Sequence, residues 1–265
     1  MGIRWIPPLR LGGDWQMAID EWLLERAVGG GGPVLRLYDW RRPTLSLGFH
    51  QRRIDPAWRD LAAAGRIDLV RRPSGGRAVL HAGSLTYALI WPAPSAARGC
   101  AYRLACAWLQ EAFAGLGQPL EFGRHAASAD RASCFASGTA ADLVHADGAK
   151  RIGSAQLWRR GSLLQHGCLL LSPPPQLWRQ LFDDLPPPLP ALPVDREGLK
   201  QRLRRAAARA LPMEGPLRTR PLSRREWRRI ALLRRRYRPA PFAAGRVSPA
   251  ACIDRATWER ARPRG

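Results

Sequence analysis

Residues 67–87 read IDLVRRPSGGRAVLHAGSLTY, and the reading of the whole chain turns on how this stretch folds. A strand-like run, Ile67, Leu69 and Val70, breaks at Arg71-Arg72-Pro73-Ser74-Gly75-Gly76. It resumes at Ala78-Val79-Leu80, with His81 just before a second turn. Adjacent glycines admit positive φ and let a backbone approach a ligand without an intervening Cβ. Consecutive N–H groups in such a loop form a concavity for anions, and Arg71 and Arg72 flank it with fixed positive charge. The same residues also suit a plain strand–turn–strand with a solvated arginine pair, and this stretch alone does not choose between the two.

The chain has 265 residues, enough for one large domain or one domain with an accessory piece, and its 46% hydrophobic content suits a buried core. No apolar run is long enough to span a bilayer, and the opening MGIRWIPPLRLGGD lacks the apolar core of a signal peptide, so the expected location is cytoplasmic. Cys100, Cys106, Cys134, Cys168 and Cys252 are odd in number and contain no Cys-x-x-Cys pair. That spacing argues against a disulfide framework or a zinc site and for reduced thiols.

The formal net charge of +22 fits nucleic acid, an anionic membrane surface or acidic protein partners. Of the 43 basic residues, however, all except Lys150 and Lys200 are arginine. Such a drift is what GC-rich coding produces, which weakens a functional reading of the total charge. It sharpens another reading. A lysine that survives in an arginine-saturated chain is a candidate for work needing a compact ammonium that can give up and regain a proton.

Asp14–Val28 has helical apolar spacing and stops at Gly29–Gly32. Pro33–Trp40, Thr44–Phe49 and Ser84–Trp91 pattern as strands, and Pro56–Ala64 as a short helix. Tyr102–Leu116 is expected to be a core helix that carries Cys106 as a packed hydrophobe. Asp142–Val144 begins a strand, Asp147-Gly148 signals a hairpin, Lys150–Gln156 returns, and Ser162–Leu171 follows. Strands and helices mixed without a regular βαβ repeat predict an α+β fold around a mixed sheet. The predicted organisation is a catalytic domain over 1–182, a proline-rich connector over 183–195, a basic helical extension over 196–247 and a tail over 248–265. In the extension, Gly198–Leu211 and Ser223–Tyr237 look helical. Arg224–Arg238 holds eight arginines in fifteen positions, with Trp227, Ile230 and Leu233 at helical spacing, which reads as a docked surface helix rather than a nucleic-acid-binding arm.

Three segments, RRPSGGRAVLHAGSLTY from Arg71, CFASGTAADLVHADGAKRIGSAQ from Cys134 and RRGSLLQHGCLLL from Arg159, together resemble the biotin/lipoate protein ligase superfamily. The matching positions are Arg71, Arg72, Ser74, Gly75, Gly76, His81 and Tyr87, then Asp142–Val144, Lys150, Gly153, Ser154, Ala155, Gln156, Gln165, His166 and Gly167. MAIDEWLLE from Met17 and RPTLSLGFHQ from Arg42 are similar to the family's opening helix and strand. The resemblance runs from Trp15 to Leu171, with a weaker echo at Tyr237. It implies a ligase-like catalytic domain with a mixed central sheet flanked by helices, plus a short helical C-terminal extension.

What the resemblance implies is attachment of an octanoyl or lipoyl group to a lysine of a carrier domain. A ligase of this type starts from the free acid and needs ATP and magnesium. A transferase takes a thioester from acyl carrier protein and needs no cofactor, but it does need a cysteine. Ser133-Cys134-Phe135 resembles the loop in which one octanoyltransferase subgroup carries its acyl-thioester cysteine. The expected catalytic pair is therefore Cys134 and Lys150, the ammonium favouring the thiolate. Arg71, Arg72, Ser74, Gly75, Gly76, His81, Gly153, Ser154, Ala155 and His166 are expected to bind substrate, the two histidines as hydrogen-bonding pocket walls. No metal site is expected. The implied donor is acyl carrier protein and the implied acceptors are lipoyl domains or glycine-cleavage H-type proteins, with no membrane role; a nucleic-acid-binding module built on the arginine-rich C-terminal helix is the remote alternative from a different class. The same-fold alternatives are an ATP-dependent lipoate-protein ligase and an amidotransferase between proteins. The chain departs from the family pattern at Arg77, where a third glycine is usual, and at Ala82, Ser84 and Thr86.

Overall fold

The first strand is one that periodicity conceals. In the computed structural model, which describes residues 2–124 and 141–237, Ile3–Leu11 forms β1 despite Pro7 and Pro8 at its middle. It pairs in parallel with β2 (Val34–Trp40), and the register shifts between Ile6 and Leu9. An irregularity of this kind is where a strand tolerates residues that have no N–H to give. Gly13–Val28 forms α1 between these strands, in place of the Asp14 start expected.

β3 (Thr44–Leu47), α2 (Pro56–Ala63), β4 (Asp68–Arg71) and β5 (Val79–His81) follow, and the three strands form a small sheet in the order β4-β3-β5. Next come β6 (Ser84–Trp91), α3 (Arg98–Ala114) and the short β7 (Glu121–Phe122). Beyond residue 140 lie β8 (Asp142–Val144), β9 (Lys150–Arg159), β10 (Ser162–Leu170) and α4 (Pro175–Phe182). The described chain closes with α5 (Arg196–Ala210), β11 (Leu217–Thr219) and α6 (Arg224–Arg234). The large mixed sheet has the order β11-β1-β2-β6-β10-β9-β8-β7. The fold is α+β, as the mixture of strands and helices predicts.

Alternation along the central strands assigns each face of the large sheet its own core. Leu35, Leu37, Tyr87, Leu89, Leu163 and Leu169 face α3 and α5, where Trp108, Leu109, Phe113, Leu199 and Leu203 meet them. Val34, Tyr38, Ala88, Ile90 and Leu164 face α1, whose outer side is capped by Ile230 of α6 and by Tyr237 just beyond that helix. A third cluster joins the small sheet to Trp58 of α2 and to Trp178 and Leu181 of α4. The Trp58 indole donates to the Leu181 carbonyl at 2.6 Å, tying the two helices together.

The proline-rich residues 183–195 lie on the body of the molecule. Leu192 and Val194 pack on the first core cluster, and Gln118 donates to the Ala191 carbonyl at 2.6 Å. Arg151, fully buried in β9, donates to the carbonyls of Leu170 and Pro190 at 3.0 and 2.5 Å. Burial lowers its guanidinium pKa to about 10.

Candidate functional site

The face of the large sheet that carries α1 and the small sheet β4-β3-β5 enclose a narrow cavity between them. Tyr38 and Trp40 of β2, Thr86 of β6, Gly153 and Ala155 of β9, and His166 and Cys168 of β10 line it from the large sheet. Ser46, Val79 and His81 close it from the small sheet, Met17 reaches it from α1, and Arg72 and Gly76 supply the loop side. Gly153 and Ala155 leave room where larger side chains would fill the space. The wall is therefore mostly apolar with a few convergent polar groups, which is the usual character of a small-ligand pocket.

The double-glycine loop borders this cavity, and its arginines hold backbone. Arg71 Nη1 donates to the carbonyls of Gly48 and Gln51 at 2.8 and 2.6 Å. The Arg72 guanidinium donates to the carbonyls of Ser46, Gly75 and Arg77 at 2.9, 2.8 and 2.7 Å. A Cβ on Gly48 would lie 1.7 Å from the Gly76 oxygen, so two backbone segments meet there with no space for a side chain. Gly76 itself has φ +93°, a conformation that glycine alone adopts without cost.

Two buried histidines stand on the cavity wall. His81 stacks on Trp40, with ring centroids 4.0 Å apart, and its Nε2 meets Ser46 Oγ at 2.8 Å. Burial, reinforced by the Arg72 charge, holds its pKa well below the ordinary imidazole value, so it is neutral at physiological pH. His166 contacts Asp20 Oδ2 through Nδ1 at 3.1 Å and Ser74 Oγ through Nε2 at 2.5 Å. Asp20 is fully buried in α1. It also accepts from Arg36 Nη1 at 3.1 Å and from the Tyr38 hydroxyl at 2.9 Å. A charged core network thus sits directly behind the cavity.

Lys150 and Asp142 form a second buried pair, Nζ to Oδ1 2.8 Å, with side-chain exposures of 2% and 5%. Asp142 is directly opposite Gly153 in the β8–β9 ladder, and Gly153 is opposite Cys168 of β10. Residues opposite one another share a face of the sheet, so Asp142 stands beside the cavity-lining Gly153, while Lys150 is opposite Val144 beyond a register shift; neither member of the pair is among the residues that line the cavity. Cys134 lies outside the described residues.

Of the residues predicted from sequence to bind substrate, Arg72, Gly76, His81, Gly153, Ser154, Ala155 and His166 border the cavity. Ser74 is tied to His166 behind that wall, and Arg71 serves the neighbouring loop. Sequence reasoning did not single out Asp20, Arg36, Tyr38 or Trp40. A usable signal existed for two of them: Asp20 interrupts the apolar run Met17-Ala18-Ile19, and Arg36 stands between Leu35 and Leu37 in a strand. Charges there must be paired in the core.

The other sulfur atoms have simpler surroundings. Cys106 is fully buried in α3, accepts from Gln165 at 3.3 Å, and is pushed up by burial to about 12, which leaves it an unreactive thiol. Lys200, the second lysine of the chain, binds Asp39 at 2.8 Å and Glu197 at 2.7 Å on α5. Its retention has a structural explanation in those two ion pairs. Among the described residues, no group of three His, Cys, Asp or Glu side chains is placed to hold a metal ion, and no helix is long and apolar enough to cross a membrane.

Residues 13–184 match the model of the lipoyl protein ligase A/B catalytic domain. The chain belongs to that family. Among its relatives are proteins named octanoyltransferase LipM. The one from Exiguobacterium is 38% identical over 169 residues, 59% of this chain and 61% of that protein. The one from Carboxydothermus hydrogenoformans is 37% identical over 174 residues, 63% and 64% of the respective chains. The chain therefore matches less than two thirds of the length of these relatives. A Thermoplasma acidophilum structure, described as a lipoate protein ligase with bound lipoic acid, superposes with a TM-score of 0.73 at 19% identity, covering 88% of this chain and 95% of that one. A lipoate-protein ligase A bound with ATP gives 0.72 at 19% identity, covering 89% and 95%. At that identity the two structures establish the shared fold.

Proposed function

We propose that the chain is an octanoyltransferase acting in protein lipoylation. It takes an octanoyl group from acyl carrier protein onto Cys134 and passes it to a lysine of a lipoyl-accepting domain. The observation that carries this reading is Lys150, buried against Asp142 and three residues before the cavity-lining Gly153 on β9, in a chain whose matched relatives are named octanoyltransferases.

The chemistry asks for few parts. A free thiol is only a few per cent thiolate at neutral pH, since its reference pKa is about 8.5, and a neighbouring ammonium raises that fraction. Thioester exchange onto Cys134 is nearly energy-neutral. Aminolysis then runs downhill to the amide, so no nucleotide is consumed. Asp142 holds Lys150 in one position, and a pre-placed cation acts on the developing thiolate without reorganising. The cavity accommodates the alkyl chain between Gly153, Ala155, Val79 and Met17.

An ATP-dependent lipoate–protein ligase is the second reading, and the ATP-bound structural neighbour favours it. Against it, the guanidinium groups of Arg71 and Arg72 are turned onto backbone carbonyls, so they are poorly placed to meet a phosphate chain. The surface arginines suit acidic carrier domains, which they would steer by long-range attraction that salt screens.

Intact-mass analysis after incubation with octanoyl-carrier protein, without nucleotide, separates the readings. The transferase predicts a hydroxylamine-sensitive octanoyl adduct that is lost in Cys134→Ala. Modification of an acceptor only when free octanoate and ATP are present would establish the ligase instead. Lys150→Arg keeps the charge but changes its shape, and turnover should fall by roughly 100-fold or more, the scale of a positioned electrostatic group.

A further inference from the structure

We infer that the stacked rings of Trp40 and His81 form the blind end of the cavity and limit the acyl chain to the length of octanoyl, with Thr86 as their positioning residue. The inference deepens the octanoyltransferase reading by naming what sets chain length, and it rests on that reading for the nature of the cargo.

Strand register gives the cavity its direction. Tyr38, Thr86, Cys168 and Gly153 are successive Cα partners across β2, β6, β10 and β9, and all four line the cavity. Exposure changes along that row. At the β9 end Gly153, Ser154 and Ala155 are half-buried, and Gly76 of the facing loop is exposed. At the β2 end Met17, Tyr38, Trp40, Ser46, His81 and Thr86 are all buried. A chain therefore enters beside β9, keeps its carbonyl there and points its terminal methyl at β2. Three strand spacings span about 14 Å, and a contact distance of about 4 Å at the wall leaves about 10 Å. Seven C–C bonds of about 1.5 Å in a zigzag carry an octanoyl chain about 9 Å. Octanoyl fills that length, and dodecanoyl overruns it.

Hydrogen bonds hold the end wall as well as packing. The ring centroids of Trp40 and His81 are 4.0 Å apart, with planes 17° from parallel. Ser46 Oγ meets His81 Nε2 at 2.8 Å and accepts from Arg72 Nη1 at 3.3 Å. The Trp40 indole N–H donates to Thr86 Oγ1 at 2.9 Å, and His81 Nδ1 stands 3.5 Å from the same oxygen. Thr86 is one of the positions at which the chain departs from the family pattern, and its single oxygen meets both rings. An indole tied in this way cannot swing aside to admit further methylenes without breaking a buried hydrogen bond. The neutral His81 ring sets no charge against an alkyl chain.

Side chains that only supported the fold would alter stability and leave the preference among chain lengths unchanged, so the test reads selectivity. Binding of octanoate, decanoate and dodecanoate to the full chain is measured by calorimetry, with no donor, nucleotide or acceptor present. The wild type should bind octanoate at least about 10-fold more tightly than dodecanoate, against the trend of chain hydrophobicity. Trp40→Leu should bring the two affinities within about twofold or reverse them, because a lowered wall admits the extra methylenes. Thr86→Val removes the shared oxygen while keeping the side-chain shape, and should relax the preference by about 5-fold; Thr86→Ser should restore it. Thermal melts identify a variant that has lost the fold, and if Trp40→Leu is one, the two Thr86 variants carry the test. An unchanged preference in folded Trp40→Leu or Thr86→Val would overturn the wall. So would a wild type that binds none of the acids, or binds dodecanoate as tightly as octanoate. A wild type that sorts the acids by length but takes no octanoyl group from octanoyl-carrier protein would refute the transferase reading and leave the wall standing.

Discussion

The loop after β4 and the helix α6 are both crowded with arginine, and their guanidinium groups face opposite ways. Arg71 and Arg72 turn inward and gather the carbonyls of Ser46, Gly48, Gln51, Gly75 and Arg77. Arg224, Arg225, Arg228 and Arg229 on α6 point to solvent, and the helix is held instead by Ile230, by Trp227 against Trp15, and by Glu226 on Arg4. A five-donor fork suits both tasks, since it bridges carbonyls when buried and remains hydrated when exposed. The identity of the side chain therefore says little about its work. The backbone around it decides.

Removing a fork from each region should separate them by several kcal/mol. Arg72→Ala leaves three backbone carbonyls near the cavity without that donor, at about 1–3 kcal/mol for each one that stays dry. Urea unfolding should show a loss above about 3 kcal/mol, and a smaller loss would mean that water replaces the guanidinium. Arg72→Lys should recover only part of it, because an ammonium cannot span carbonyls held in a planar fork.

The clasp of α6 should show an intermediate effect that depends on pH. Arg4 meets both Glu226 oxygens, at 2.6 and 2.9 Å, and Glu226 closes a capping box with Ser223. Burial works to raise the Glu226 pKa, but the Arg4 hydrogen bonds and the Ser223 backbone N–H outweigh it and bring the value down to about 2. A carboxyl depressed in the folded state stabilises the protein fully above its unfolded value of about 4.3 and loses that contribution as pH falls toward 2. Glu226→Gln should therefore narrow the difference in melting temperature from the wild type between pH 5 and pH 2. A constant offset over that window would show that the ion pair contributes nothing.

The smallest effect belongs to the exposed face. Arg228→Ala with Arg229→Ala should change stability by no more than about 0.5 kcal/mol. Under the proposed function the same pair should slow association with an acidic carrier domain at low salt, and the difference should vanish as ionic strength rises. A gel shift with nucleic acid that these substitutions abolish, with no effect on any carrier domain, would assign the face differently.

Legibility differed between elements for identifiable reasons. The strands around the cavity and the helices α1, α3, α5 and α6 follow apolar periodicity, and their existence was readable to within a few residues. β1 was hidden by its paired prolines and has its place only because β2 and β11 flank it. α4 was hidden in a proline-rich context and is held by Trp178 beneath Trp58 of α2. On α1, Trp15 and Trp22 are only half-buried, while the polar Gln16, Asp20 and Glu21 are enclosed. Their partners Arg36, Arg159 and Tyr237 come from distant parts of the chain, so no local pattern could announce them.

The amino-acid order by itself determined the α+β class, the family and the double-glycine loop, because each depends on side-chain type and short spacing. Only the tertiary structure decided that Arg71 and Arg72 hold backbone, that Lys200 is a tether, and that Asp20 reaches His166 across 146 positions of sequence. Those outcomes depend on which groups are left without water when two sheets and a helix close together. Such pairing is settled when the chain packs.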